Sequence, residues 1–287
     1  MRKSFCSLIS FLLFSLLACG AASAHWYVAP TGNDANNGSK RKPLKTIAAA
    51  LQRVNPGDTV FLREGSYGEF VVPTRSGKPG KMITLKSYPG EIAKIDGSDL
   101  YIKGWGNALV QVNNIDYMQF ENLHICHAHD SENNTDPEGI YITGTSGNIT
   151  LTFRGCKVYD IKNDCPLVDA KGDWRSAHAI LVLGTDDNTP IRNLLIEKCE
   201  IFEIHSGTSE AFTLAGNVVD FTIQDNEVHD VENIGIIIAG GDNLNPKGDI
   251  SVNYARNGVV RRNKVYRCTH EKSQDYWSQS VSNGGAI

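Results

Sequence analysis

Cysteine is sparse in this 287-residue sequence, and an excess of positive charge is missing altogether. Of seven cysteines, Cys6 and Cys19 fall in the apolar opening; Cys126, Cys156, Cys165, Cys199 and Cys268 are odd in number and widely scattered. No short spacing of the kind used by a disulfide framework or a zinc cluster occurs among them. The formal net charge is -4, so the chain has no general attraction for polyanions, which argues against nucleic acid as a partner. Glycine-rich phosphate loops and serine nucleophile elbows are absent, and with them the chemistries those motifs serve. The apolar stretch from Leu8 to Leu17 is too short for a helix that crosses a bilayer, which needs about 20 residues.

What the sequence does have is a repeat. The segments "FENLHICHA" from Phe120, "FRGCKVYDI" from Phe153, "IEKCEIFEI" from Ile196, "IQDNEVHDV" from Ile223 and "VRRNKVYRC" from Val260 share one pattern. Each reads apolar, two spacers, a small residue, one spacer, apolar, with Leu123 the exception at the small position. Between them stand apolar runs closed by Gly144, Gly184, Gly216 and Gly240. The small positions Cys156, Cys199, Asn226 and Asn263 are 43, 27 and 37 residues apart, so the strands are constant and the loops vary. That is the signature of a solenoid. Runs of four to six apolar residues bounded by Gly, Asn and Asp predict short parallel strands stacked coil on coil. An Asn at a bend between such strands can bond to the next coil through its amide. Cys156 and Cys199 fill the same column as small apolar residues.

The ends predict other things. A basic start at Arg2 and Lys3, the apolar stretch and "ASA" before His25 match a secretory leader over 1–24, leaving 25–287 as one β-helix domain outside the cytoplasm, secreted or periplasmic. "LLAC" offers a second reading, a lipid-modified Cys19 on an outer membrane. Loss of Arg2 and Lys3 takes the charge from -4 to -6. Thr46 is placed to cap a helix whose Ile47, Leu51 and Val54 share a face and would cover the first coil. At the far end "SNGGAI" starts another glycine-closed strand and stops at Ile287, which predicts a chain truncated at its C-terminal end.

The N-terminal stretch "WYVAPTGNDANNGSKRKPLKTIAAALQRVNPGDTVFLREGSY", followed by the Asn-bearing repeats, resembles secreted right-handed parallel β-helix proteins of the pectate-lyase-like superfamily, especially the group of family 6 and family 9 polysaccharide lyases. The resemblance implies an all-β, right-handed parallel β-helix with an N-terminal capping α-helix. It also implies a polysaccharide partner, most of all a uronate-containing glycan cleaved by β-elimination with Ca2+ as a candidate cofactor, and a protein acting as a monomer. A glycoside hydrolase, or a solenoid that binds glycan without catalysis, are the alternatives on the same fold.

Six residues before each closing glycine stand Glu138, His178, Glu210 and Ile234, a candidate polar ladder. Asp160, Glu203, Asp230 and Arg267 form a second, facing solvent. Elimination needs a base and a charge clamp, and hydrolysis needs paired carboxylates. The catalytic candidates are His178, Glu210, Asp230 and Arg256, and the substrate-binding candidates are Arg175, His229 and Asn233. Arg175 and Arg256 are the possible clamps, and Lys247 or Lys264 the possible bases. No dense Asp cluster of the family 9 calcium type is visible, so the metal ligands stay open.

Overall fold

The computed structural model describes residues 23–269 except 103–105, 133, 147, 166–174, 208 and 241. Residues 1–22, which hold Cys19 and most of the expected leader, and the segment 270–287 with "SNGGAI" lie outside the described residues.

Three long parallel sheets form the walls of the molecule, two from its N-terminal coils onward and the third from Val110. The first takes one strand per coil from His25–Val28 through Met118–Glu121, Leu151–Arg154, Leu195–Glu197 and Thr222–Gln224 to Val259–Arg261. The second runs from Gly65–Tyr67 through His124–Asp130, Lys157–Asn163, Glu200–His205 and Glu227–Glu232 to Lys264–Thr269. The third holds Val110–Asn113, Glu138–Thr143, His178–Gly184, Glu210–Gly216 and Ile234–Ile238. From Ile83 onward the chain visits first, second and third sheet in turn and then starts the next coil. Each strand therefore pairs with its counterpart one coil away, and backbone hydrogen bonds lie along the long axis.

Register turns the repeat into columns. Leu85, Phe120, Phe153, Ile196, Ile223 and Val260 stack through the first sheet, and the rings of Phe120 and Phe153 lie face to face with centroids 4.6 Å apart. Ile125, Val158, Ile201 and Val228 do the same in the second sheet, and Ile140, Ile180, Phe212 and Ile236 in the third. All of these except Val260 are buried in one continuous core. Truncating a residue such as Ile201 to Ala would cost about 2–5 kcal/mol.

Left-handed backbone makes the corners. Asn122, Gly155, Lys198, Asp225 and Arg262, with φ of 53 to 63°, connect the first sheet to the second. Their amides still bond to the next coil, as from Lys198 N to Gln224 O at 3.2 Å. A second left-handed column, His127, Asp160, Glu203, Asp230 and Arg267, bends every long strand of the second sheet. Such a conformation costs a non-glycine residue about 1–2 kcal/mol, and the bonds of the repeating corner offset it. Just after the first corner comes the small-residue column. Asn226 donates from Nδ2 to Ile196 O at 3.0 Å and accepts from Cys199 N at 2.9 Å, and Asn263 Oδ1 accepts from Asn226 N at 3.0 Å. Cys156 and Cys199 repeat this weakly, each thiol pointing at the carbonyl of Phe120 or Phe153 at 3.6 or 3.7 Å.

At the N-terminal end the helix Ile47–Leu51 buries Ile47, Ala50 and Leu51 against the first coil. Thr46 Oγ1 accepts from Ala49 N, and the Glu69 carboxylate accepts from Ile47 N at 2.8 Å and Ala48 N at 3.0 Å. No helix among the described residues is long and apolar enough to cross a membrane.

Asn226 is 2% exposed, so Asn226→Ala would strand two backbone groups in the interior. The expected loss is about 1–3 kcal/mol, read as a lower denaturant midpoint; equal midpoints would take the amide out of the structural column.

Candidate functional site

Two outward faces carry charge, and they differ. On the first sheet Lys86, Glu121, Arg154, Glu197, Gln224 and Arg261 form an axial chain in which each side chain binds the next. Lys86 Nζ meets Glu121 at 2.7 Å, Arg154 Nε meets Glu197 at 2.6 Å, and Gln224 donates to Glu197 and accepts from Arg261. The arginine and the amide beside Glu197 hold its carboxyl below the usual range. Such a face is a brace, with its charges already used.

The second sheet presents rings and titratable groups instead. Tyr159, Phe202, His229 and Tyr266 stack one per coil, with centroids 4.8, 5.4 and 5.1 Å apart. Beside them the left-handed column turns Asp160, Asp230 and Arg267 outward. Arg267, then His229, hold the Asp230 carboxyl far below its ordinary value. One groove of about 410 Å³ is lined by His205, Asp230, Glu232, Arg267 and Thr269. Another of about 260 Å³ lies by His129, Asp130, Glu132 and Asp164. Between them the register sets His129, Lys162 and His205 in one column that continues into Glu232 and Thr269. At about 4.8 Å per coil this line extends for roughly 19 Å.

The predicted ladder at the start of the third sheet also forms. Glu138 pairs in register with His178, and His178 Nε2 faces Glu210 Oε2 at 3.9 Å while its Nδ1 meets Asp136 Oδ1 at 2.9 Å. Asp136 and Glu138 are fully buried, and one oxygen of each, Asp136 Oδ2 and Glu138 Oε2, has no hydrogen bond among the described residues. Burial, and then the neighbouring Asp136, push the Glu138 carboxyl up to about 9. Burial works against charge on His178, but Asp136 and Glu210 outweigh it and raise its pKa. Of this set Glu210 is the member that reaches solvent, with its side chain 20% exposed against 4% for His178. Thr213 Oγ1 donates to its Oε2 at 3.0 Å.

The other sequence candidates spread out. Asp230, in the wall of the first groove, and His229 adjoin each other at 2.7 Å. Asn233 is buried and braces the corner by donating to Ser209 O at 2.9 Å. Arg175 is 8% exposed and donates to Cys165 O at 3.2 Å. Arg256 donates to Asn217 Oδ1 at 2.9 Å, past the far end of the strand Glu210–Gly216, roughly 20 Å from Glu210 at about 3.3 Å per residue; it does not join Glu210. Lys247 sits in the loop held by Asp187, and Lys264 lies on the exposed end of the last described coil. Asp136, Lys162 and His129 were missed. Lys162 and His205 pair in register, each one residue past the end of an aligned repeat segment; Asp136 lies in a loop outside the repeat.

Calcium needs six to eight oxygen ligands. Among the described residues one group of three or more candidate ligands has its atoms within 4.8 Å of one another, and it is Asp96, Cys126 and His127. A thiol and an imidazole do not suit calcium, so this group does not fit that ion.

Residues 26–189, more than half of the chain, match the model of the Pel9A-like right-handed β-helix region. The chain belongs to that family. Its fold is therefore an all-β, right-handed parallel β-helix of the pectate-lyase-like kind. Among relatives of this Pel9A-like chain, the uncharacterized protein YwoF of Bacillus subtilis is 33% identical over 233 residues, 81% of this chain and 46% of that protein. Pectate lyase PEL9 of Emericella nidulans is 26% identical over 147 residues, 47% of this chain and 34% of that one. The chain thus spans under half the length of these relatives. Among solved structures, the GH136 lacto-N-biosidase of Eubacterium ramulus aligns with a TM-score of 0.56 at 16% identity, covering 74% of this chain and 42% of that one, a likeness of fold.

Glu138 gives a pH signature. Its folded pKa lies above the unfolded one, so between about pH 4.5 and 9 the native state holds a proton that the unfolded state has lost. Stability therefore falls as pH rises through that window. Glu138→Gln, which keeps the acceptor for Gly106 N, is expected to flatten this slope and to stabilise the chain by about 1–3 kcal/mol at pH 8. Urea titrations at pH 5 and pH 8 check it, and unchanged slopes would return Glu138 to an ordinary carboxylate.

Proposed function

We propose that this β-helix is the polysaccharide-active part of a secreted or periplasmic protein, a lyase-like enzyme that cleaves uronate-containing glycan by β-elimination and acts as a monomer. The observation that carries this reading is the axial line of His129, Lys162 and His205 joining two grooves. A glycan is long and extended, and a row of polar side chains repeating once per coil matches it. Elimination asks for a cation beside the uronate carboxylate and a base beside the proton to be removed. Lys162 and Arg267 supply the positive charge on this face. Lys162 Nζ stands 3.6 Å from both Asp160 and Asp164, and Arg267 is held by Asp230. Each can turn toward a substrate carboxylate without leaving its carboxylate neighbours bare, because the exposed acids stay hydrated.

His205 in the groove wall and Glu210 at the corner are the groups placed to move a proton. His178, fixed by Asp136 and facing Glu210, is a positioning residue in this reading, since its burial keeps it from the glycan. Family membership supports carbohydrate chemistry on this fold, and no step here uses a metal.

The test is turnover of polygalacturonate and of neutral glycans by the chain, with and without calcium. New short-wavelength ultraviolet absorbance of an unsaturated uronate is the expected outcome. New reducing ends without that absorbance would favour the hydrolase, and binding without either would favour a scaffold. His205→Ala and Glu210→Gln are each expected to lower turnover about a hundredfold or more with melting temperature unchanged. Lost stability with turnover per folded molecule intact would make them braces.

A further inference from the structure

At the N-terminal end of the second sheet, three donors of different chemistry converge on one spot. Asp96 and Cys126 are register partners in consecutive coils, so their side chains lie on the same face about 4.8 Å apart along the axis. His127 follows Cys126 directly, and in a regular strand it would point to the opposite face. It occupies the left-handed bend instead, at φ 62°, which swings its imidazole back beside its neighbour. One ligand atom from each of the three residues then falls within 4.8 Å of the others.

We propose that Asp96, Cys126 and His127 bind a divalent transition-metal ion of the zinc class, with an open position toward solvent. Carboxylate, thiolate and imidazole form a donor set that zinc-class ions take, with ligand distances of about 2.0–2.3 Å. Asp96 Oδ1 already accepts three hydrogen bonds, from Ser98 N, Ser98 Oγ and the His127 Nδ1 side, at 3.1, 2.6 and 2.8 Å. Its Oδ2 has no hydrogen bond from the described residues and is the oxygen left for an ion. The other imidazole nitrogen, His127 Nε2, faces Asp160 Oδ2 at 3.7 Å, and the same oxygen lies 3.0 Å from His129 Nε2. A carboxylate behind a ligating histidine is the usual outer partner at such centres, fixing the ring and raising its basicity.

Cys126 forms the buried floor, while the side chains of Asp96 and His127 are 17% and 30% exposed and give access. On binding, the Cys126 thiol passes its proton to solvent and the sulfur becomes the thiolate ligand. Burial holds this thiol up at about 11 when no ion is present, so in that state it is a protonated, unreactive group. The sparse cysteine spacing in the sequence is no objection, because the fold and not the local sequence brings Asp96 to Cys126.

The probe is cobalt(II), added to the full chain after dialysis against a chelator. A thiolate-to-cobalt absorption in the near ultraviolet, saturating at one ion per chain and abolished by zinc, is the expected result. Cys126→Ser should remove it, and Asp96→Asn should weaken binding at least tenfold with the same melting curve. Absence of the band in the wild-type chain, or a band undiminished in Cys126→Ser, would overturn the proposal. Should Cys126→Ser fold poorly, the solvent-reaching Asp96→Asn decides alone, and unchanged affinity there counts against the site. Neither result depends on glycan turnover.

Discussion

Backbone hydrogen bonds that run along the axis of the molecule, from each coil to the next, are the constraint on which the rest depends. Because strands pair only with their own counterparts one coil away, a side chain at one repeat position meets the same position above and below at about 4.8 Å. Like must then tolerate like. Apolar residues stack into the core, amides stack by donating and accepting in sequence, and charges stack only if they alternate or stay wet. Lys86, Glu121, Arg154 and Glu197 alternate, and Gln224 passes the pattern to Arg261 by donating from one end and accepting at the other. On the second sheet the alternation fails, and His127, His129, Asp160 and Lys162 stay partly exposed.

Much of this was legible in the sequence because the repeat itself states the register. The alignment of Phe120, Phe153, Ile196, Ile223 and Val260 is the pairing observed, and the amide column at Asn226 and Asn263 has the bonds its bend position implied. Counting back from the closing glycines placed Glu138, His178 and Glu210 in one ladder, as the strand partners confirm. The alternating charge column was equally visible, one residue after each first apolar position, but charge on a repeat reads as a solvated face until the bonds are seen.

Other features were hidden for physical reasons. Nothing in Glu203 or Arg267 announces a left-handed backbone, which their side chains disfavour; the bend is imposed by the coil and repeated by stacking. Asp136 lies in a loop outside the repeat, so periodicity could not bring it to His178. Arg256 follows a loop of variable length, and spacing alone could not say that it lands beside Asn217 and not beside Glu210. Fold lives in the constant strands, which a repeat reveals, whereas sites gather where loops and corners depart from it.

The ring column has a consequence for molecular recognition. Tyr159, Phe202, His229 and Tyr266 lie nearly parallel, at interplanar angles of 6 to 10°, so each interior ring has both π faces covered by its neighbours and shows solvent only its rim. A saccharide usually settles on an aromatic ring by laying its axial C–H bonds against an open face. Here that surface is spent within the protein, and the rim carries the positive edge of the ring quadrupole. A ligand crossing this column would meet a strip that favours oxygen lone pairs over hydrocarbon, and anionic sugars over neutral ones.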